Sequence, residues 1–265
     1  MNNRPGPTYS FGDTELAAER LRRLAAAFAP STRDFLEGLR ERRPRSIADL
    51  GCGPGYTTRL LANTFSGAHV CGLDNSDNYI AGARQAPIDD VIFEVADATR
   101  ALPGGPYDLI YARYLLTHVA SFRETVALWG ESLSPGGAIA IEENEWIESD
   151  QPAFQQYLSI VQAMLAASGQ KLYVGAELEA IPDWTPLRKS LSELVPVAID
   201  ERTAAGLFVP NLQTWRSHEF ILGNYRVEEI DRLESDLHEL ACGGNPLAHV
   251  VFGRRRLVLS RWTGK

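Results

Sequence analysis

Residues 47–61, IADLGCGPGYTTRLL, constrain this chain more than any other stretch. An apolar, β-prone run (Ile47, Ala48, Leu50) ends in glycines at alternate positions, Gly51, Gly53 and Gly55. An apolar-periodic segment carrying Tyr56, Leu60 and Leu61 follows at once. The pattern reads as a buried strand, a tight turn stiffened by Pro54 and a helix start. A chain that leaves a parallel strand and enters a helix so abruptly needs unusual backbone angles, which glycine supplies. A turn without Cβ atoms also lets a ligand lie on the backbone, and the unpaired N–H groups of the new helix offer it hydrogen bonds.

Spacing separates the ligands. The dinucleotide fingerprint G-x-G-x-x-G needs glycine at position 56, where this chain has Tyr56. The order here is D-x-G-x-G-x-G, with Asp49 two residues before Gly51. A short apolar strand, Val70 to Leu73 in sequence, ends in Asp74 about twenty residues past the turn, where a carboxylate can accept from both hydroxyls of a ribose diol. With these motifs in order over roughly residues 45–145, the chain resembles the class I, Rossmann-like S-adenosylmethionine (SAM) methyltransferases. The resemblance implies an α/β fold with a doubly wound, mostly parallel sheet and an antiparallel last strand. To this the chain adds N-terminal helices and a helical lid insertion.

The resemblance also implies site roles. Asp49, Gly51, Cys52, Gly53 and Gly55 form the first cofactor motif, and Asp74 with Asn75 follows as the ribose end. Asp97 would sit near the adenine amine, with Ala98 leaving room for the ring, although Asp97 also suits a plain turn. Ala112, Arg113 and Tyr114, at the end of the fourth strand, should lie near SAM. Tyr9 in the N-terminal arm either touches SAM or only pins the arm. The P-G-G of residues 135–137, before the strand AIAIEE, is a further family feature, breaking a helix that carries Val126, Leu128, Trp129 and Leu133.

Four regions are expected: an arm and helices over 1–44, a SAM-binding core over 45–145, a helical lid over 146–248 with a core strand near 196–200, and a final core strand in 249–265. In the first, one helix starts at Asp13 or Thr14 and stops at Pro30, and a second is capped by Ser31 or Thr32. In the third, an apolar helical face runs from Phe154 through Tyr157, Leu158 and Val161 to Leu165, residues 187–194 form another amphipathic piece, and helices cover 212–222 and 227–240. The last strand is expected over 257–262.

For chemistry, His118 and the carboxylates Glu142, Glu143 and Glu145 are candidate bases, each with a packing or turn reading beside it. The lid brings Trp146, Tyr173, Trp215 and His218, with Trp184, Phe208, Phe220 and Tyr225, as candidate walls for a flat or apolar methyl acceptor. The acceptor motif [DN]-P-P-[YF] of DNA and protein-glutamine methyltransferases is absent after the fourth strand. A net charge of −8 argues against a phosphate backbone as substrate, apart from one basic run at Arg254, Arg255 and Arg256. The expected reaction is therefore O-, N- or C-methylation of a small molecule. Two other readings stay open: a SAM-binding enzyme of cyclisation or rearrangement, and a nicotinamide-dependent oxidoreductase. Cys52, Cys71 and Cys242 show neither CxxC nor zinc spacing, so no metal is expected. The sequence contains no signal-like or membrane-spanning apolar run, which suggests a cytoplasmic protein with no membrane partner. A homodimer is among the states it allows.

Overall fold

The computed structural model describes residues 15–181, 187–245 and 247–262. Its centre is a seven-stranded sheet in the order β3-β2-β1-β4-β5-β7-β6. Strands β1 (Ser46–Leu50), β2 (His69–Asp74), β3 (Val91–Val95), β4 (Tyr107–Arg113) and β5 (Leu133–Glu148) are parallel, and β7 (His249–Arg261) runs antiparallel to β5 and to β6 (Leu187–Asp200). The order reverses between β1 and β4, so the crevice at their C-terminal ends is where an open α/β sheet takes its ligand.

Both sheet faces are covered. On one, helices α1 (Glu15–Glu37) and α2 (Tyr56–Thr64) bury Leu36 and Leu61 against Ile47, Leu109 and Tyr111. On the other, α4 (Phe122–Glu131) packs Val126 and Trp129 against Leu50, Ile110 and Ile139. Helix α3 (Asp77–Arg84), capped by the Ser76 side chain, closes the β3 end, and the short α6 (Gly175–Glu179) packs on β5 and β7. A separate apolar cluster joins α5 (Pro152–Ala167), α7 (Glu201–Trp215), α8 (Glu219–Asn224) and α9 (Val227–Gly243) to Phe28 of α1 and Phe252 of β7. This second core sits beyond the strand ends.

Several expectations need correction. The two N-terminal helices are one, with Pro30 inside α1. Proline removes one helical hydrogen bond, and the turns on either side are held by the full burial of Phe28, Thr32 and Leu36. Leu133 belongs to β5, pairing with Tyr107 before the register shift. Residues 187–194 and 196–200 are one strand, β6, whose place at the sheet edge tolerates Pro196. Helix α7 starts eleven residues before the expected 212, because the Asp200 carboxylate accepts from both the N–H and the hydroxyl of Thr203. Strand β7 begins at His249 rather than 257.

The basic run in β7 is no surface patch. Arg254 is fully buried, 3.0 Å from Glu142, Arg255 pairs with Glu145 at 2.6 Å, and Arg256 reaches Asp34 and Glu193 at 3.0 Å. No described helix is long and apolar enough to cross a membrane.

Candidate active site

At the β1–α2 junction Gly51, Gly53 and Gly55 all have left-handed backbone, with φ of 64°, 52° and 83°. That conformation is strained for residues with a Cβ. The Gly53 N–H donates to Asp74 Oδ2 at 2.8 Å, and the Ser76 N–H donates to Oδ1 at 2.9 Å, so Asp74 ties the turn to the end of β2. Gly55 serves packing: a Cβ there would stand 2.7 Å from the Phe93 ring. Beneath the turn, Asp49 is buried and accepts the Thr58 hydroxyl at 2.6 Å; burial pushes its carboxyl up to about 7.

Gly51, Cys52, Gly53, Asp74, Asn75, Asp97, Ala98, Arg113 and His118 line one cavity of about 300 Å³. Asp97 Oδ1 accepts from the N–H and hydroxyl of Thr99 at 2.9 and 2.6 Å, which holds its carboxyl below the usual range although partial burial opposes this. The Ala98 carbonyl is fixed by Trp129 Nε1 at 2.7 Å. Asp49, Gly55 and Ala112, placed with the cofactor residues by sequence, stand behind this wall as its support and do not line the cavity. Tyr9 and Trp184 lie outside the described residues.

The candidate bases separate. Glu142 is fully buried outside the cavity, accepting from the Tyr111 hydroxyl at 2.5 Å and pairing with Arg254 at 3.0 Å and Arg256 at 3.5 Å. Burial alone would raise its pKa, but Arg254 and Tyr111 overcome this and hold it below the ordinary glutamate value. Glu143 is also fully buried, accepting the Leu116 N–H at 2.7 Å, and burial lifts it to about 8. Neither carboxylate reaches the cavity, so both are corrected from catalytic candidates to braces: Glu142 for the strand ends and α1, Glu143 for the turn after β4. Glu145 is engaged by Arg255. His118 does line the cavity, and burial, then the charge of Arg20, lowers its pKa to about 3. It is neutral at physiological pH and a weak base.

None of the four acceptor residues named from sequence lines the cavity. Trp146 lies flat on the β7 backbone, where a Cβ on Gly253 would stand 2.1 Å from its ring. Tyr173 is held near the Ile147 backbone. Trp215 is in the second core, 5.9 Å from the Tyr157 ring, and His218 caps α8 by accepting the Phe220 N–H. Of the lid aromatics named from sequence, Phe208 does line the cavity, and the rest of its wall comes from other residues. Tyr157, Leu158 and Val161 come from α5, Leu207, Phe208 and Asn211 from α7, with Asn144 and Ile147 from β5. The 3.6-residue period already marked the α5 face, and Tyr114 was placed by its strand end. Nothing local marked Asn144, Asn211 or Arg20.

Tyr114 also lines the cavity. It has left-handed backbone, φ 56°, immediately after β4. Arg254 lies 5.3 Å from its ring and 5.0 Å from that of Phe28, so a buried cation holds the phenol in place. Its hydroxyl is buried without a hydrogen-bond partner among the described residues, as are Asn144 Oδ1 and Asn211 Oδ1.

The reversed strand order, the left-handed glycine turn and a carboxylate at the end of β2 are the arrangement in which an open α/β sheet can take a nucleotide-type ligand. Residues 47–137 match the methyltransferase domain family. Among similar proteins are the trans-aconitate 2-methyltransferases of Streptomyces avermitilis, 40% identical over 38% of this chain and 39% of the relative, and of Variovorax paradoxus, 42% identical over 36% and 37%. The chain thus spans about two fifths of the length of the curated relatives it matches. Among solved structures, the plantazolicin methyltransferase BpumL, in complex with a pentazolic analog and S-adenosylhomocysteine (SAH), has a TM-score of 0.53 and 15% identity over 93% of this chain and 91% of that one. At that identity the likeness concerns the fold. Residues 47–137 are a class I, Rossmann-like SAM-dependent methyltransferase domain.

Proposed function

We propose that the chain transfers a methyl group from SAM to a small molecule. The observation that carries this reading is the single cavity shared by the glycine turn, Asp74 and Asp97 at one end and by the apolar faces of α5 and α7 at the other. The residues fit the cofactor. The turn presents Cβ-free backbone, the Asp74 carboxylate suits a ribose diol, and Asp97 with Ala98 offers an acceptor beside a small side chain for an aminopurine.

Bound SAM supplies a methyl group that already carries its own leaving group, so the chain need provide no nucleophile of its own. Its residues bind, orient and exclude water; in ideal cases such positioning lowers a barrier by about 7–11 kcal/mol. With Glu142 and Glu143 off the cavity and His118 a weak base, the chain works by placement: a neutral amine attacks the methyl unaided, and the methylated ammonium gives up its proton to water only after the product has left. Tyr114, on the cavity wall, orients the attacking atom. The names of the relatives concern trans-aconitate, but the family match ends before α5 and α7, which wall the acceptor end here.

The test is incubation with methyl-deuterated SAM and a small-molecule library, read by mass spectrometry. A product heavier by one labelled methyl, with SAH formed in equal amount, is the expected result. A rearranged product of unchanged mass with SAM intact would favour the cyclisation reading instead.

A further inference from the structure

Granting the methyltransferase reading, the first turns of α1 bear on which acceptor fits. They carry three arginines that part ways. Arg22 and Arg23 lie on the outer side of the helix, with side chains 56% and 48% exposed and both paired to Glu19. Arg20 is 8% exposed and lies on the inner side, where it lines the cavity together with Leu21, Leu24 and Ala25. Residues four apart share one face of a helix, so Arg20 is turned the same way as Leu24, toward the cavity.

This stretch of α1 stands against the acceptor end. Arg23 Nη1 reaches the Gly206 carbonyl of α7 at 3.5 Å, beside the segment that supplies Leu207, Phe208 and Asn211 to the wall. The Arg20 charge also bears on His118 and on Tyr157 of α5, two further wall residues. Among the described residues, the charged groups on the cavity wall are Arg20 and Arg113 against Asp74 and Asp97, with His118 neutral. These charges cancel. Arg113 stays at the end of β4, where its Nη1 donates to Thr32 Oγ1 at 3.2 Å, and both carboxylates belong to the cofactor end. SAM brings a sulfonium, an ammonium and one carboxylate, and so adds one positive charge. The loaded cavity is balanced by a single anion, and in an apolar wall such an anion is stable only beside a cation that can hydrogen-bond to it.

We infer that the acceptor, apart from the amine that takes the methyl, carries one carboxylate on an otherwise apolar body, and that Arg20 is the residue that selects it. The body lies against α5 and α7, and the carboxylate accepts charge-assisted hydrogen bonds from the Arg20 guanidinium. A cationic molecule of the same shape meets a like charge there.

The test uses three probes with one bicyclic body and different charge: 2-naphthoate, 2-naphthamide and 2-naphthylmethylammonium. Each is titrated calorimetrically into the full chain loaded with SAH. The inference expects 2-naphthoate to bind at least about tenfold more tightly than 2-naphthamide, and the ammonium to bind more weakly than either. Arg20→Gln should make the first two affinities equal, with SAH affinity and circular dichroism unchanged. Arg20→Lys should keep part of the preference, and Arg23→Gln, on the outer side of the same helix, all of it. Equal binding of 2-naphthoate and 2-naphthamide by the parent overturns the inference, as does tightest binding of the ammonium or failure of every probe on a protein that binds SAH. So does a preference that survives Arg20→Gln or is lost in Arg23→Gln. Should Arg20→Gln unfold, the ranking of the three probes on the parent and on Arg20→Lys decides. Failure of SAH itself to bind would sink the methyltransferase reading instead.

Discussion

The two ends of the cavity are built on different principles. At the cofactor end the turn is formed by backbone: left-handed glycines, N–H groups and one carboxylate, Asp74, that locks the turn by accepting from Gly53 and Ser76. The acceptor end is made of side chains from elements far apart in sequence, such as Asn144 of β5 and Asn211 of α7. Backbone geometry restricts residue type sharply, whereas an apolar wall accepts many side chains of suitable volume. The first kind of site can stay recognisable across relatives while the second diverges. This agrees with a family match that covers residues 47–137 and stops short of α5.

The contrast can be broken most severely at the buried cation beside Tyr114. Arg254→Met removes the guanidinium that pairs with Glu142 and stacks on Phe28 and Tyr114. Glu142 then keeps only Arg256 at 3.5 Å and the Tyr111 hydroxyl; breaking a buried pair costs about 3–5 kcal/mol, so urea denaturation should show a loss of up to that size. The double variant Arg254→Met, Glu142→Leu should recover much of it, and a double variant no better than the single would refute the pairing. Next in size, Asp74→Ala should weaken SAM binding by about 1.5–3 kcal/mol as the carboxylate's hydrogen bonds are lost, with the circular dichroism spectrum unchanged. Unchanged SAM affinity would remove Asp74 from the cofactor end and with it the contrast between the two ends.

The smallest effect concerns the brace after β4. Burial raises Glu143 from its ordinary value of 4.5 to about 8, so the native state holds a proton that the unfolded chain has released. Its contribution is neutral below about pH 4.5, turns against stability as the pH climbs, and reaches its full cost above about 8. Glu143→Gln keeps an oxygen for the Leu116 N–H, and should be more stable than the parent by about 1–3 kcal/mol at pH 9 but not at pH 4. Melting curves that differ equally at both pH values would contradict the assignment.

What could be read from sequence follows the same division. The parallel core, the turn and the carboxylates Asp74 and Asp97 were legible because strand ends and positive φ demand particular residues at particular intervals. The single helix through Pro30 was not, since its survival depends on Phe28 and Leu36 finding partners elsewhere. Glu142 and Glu143 looked catalytic because a strand end faces the crevice, but the arginines that claim Glu142 lie over a hundred residues later, in β7. Aromatic character alone marks Trp146 and Trp215 as pocket walls, and it does not separate a wall from the core behind it.

The central claim is that the turn at residues 51–55 holds SAM. It is tested most directly by calorimetric titration of the purified chain with SAM and, separately, with a reduced nicotinamide dinucleotide. The account predicts a saturable one-to-one isotherm for SAM and none for the dinucleotide. Binding of the dinucleotide with no heat from SAM or SAH would contradict it.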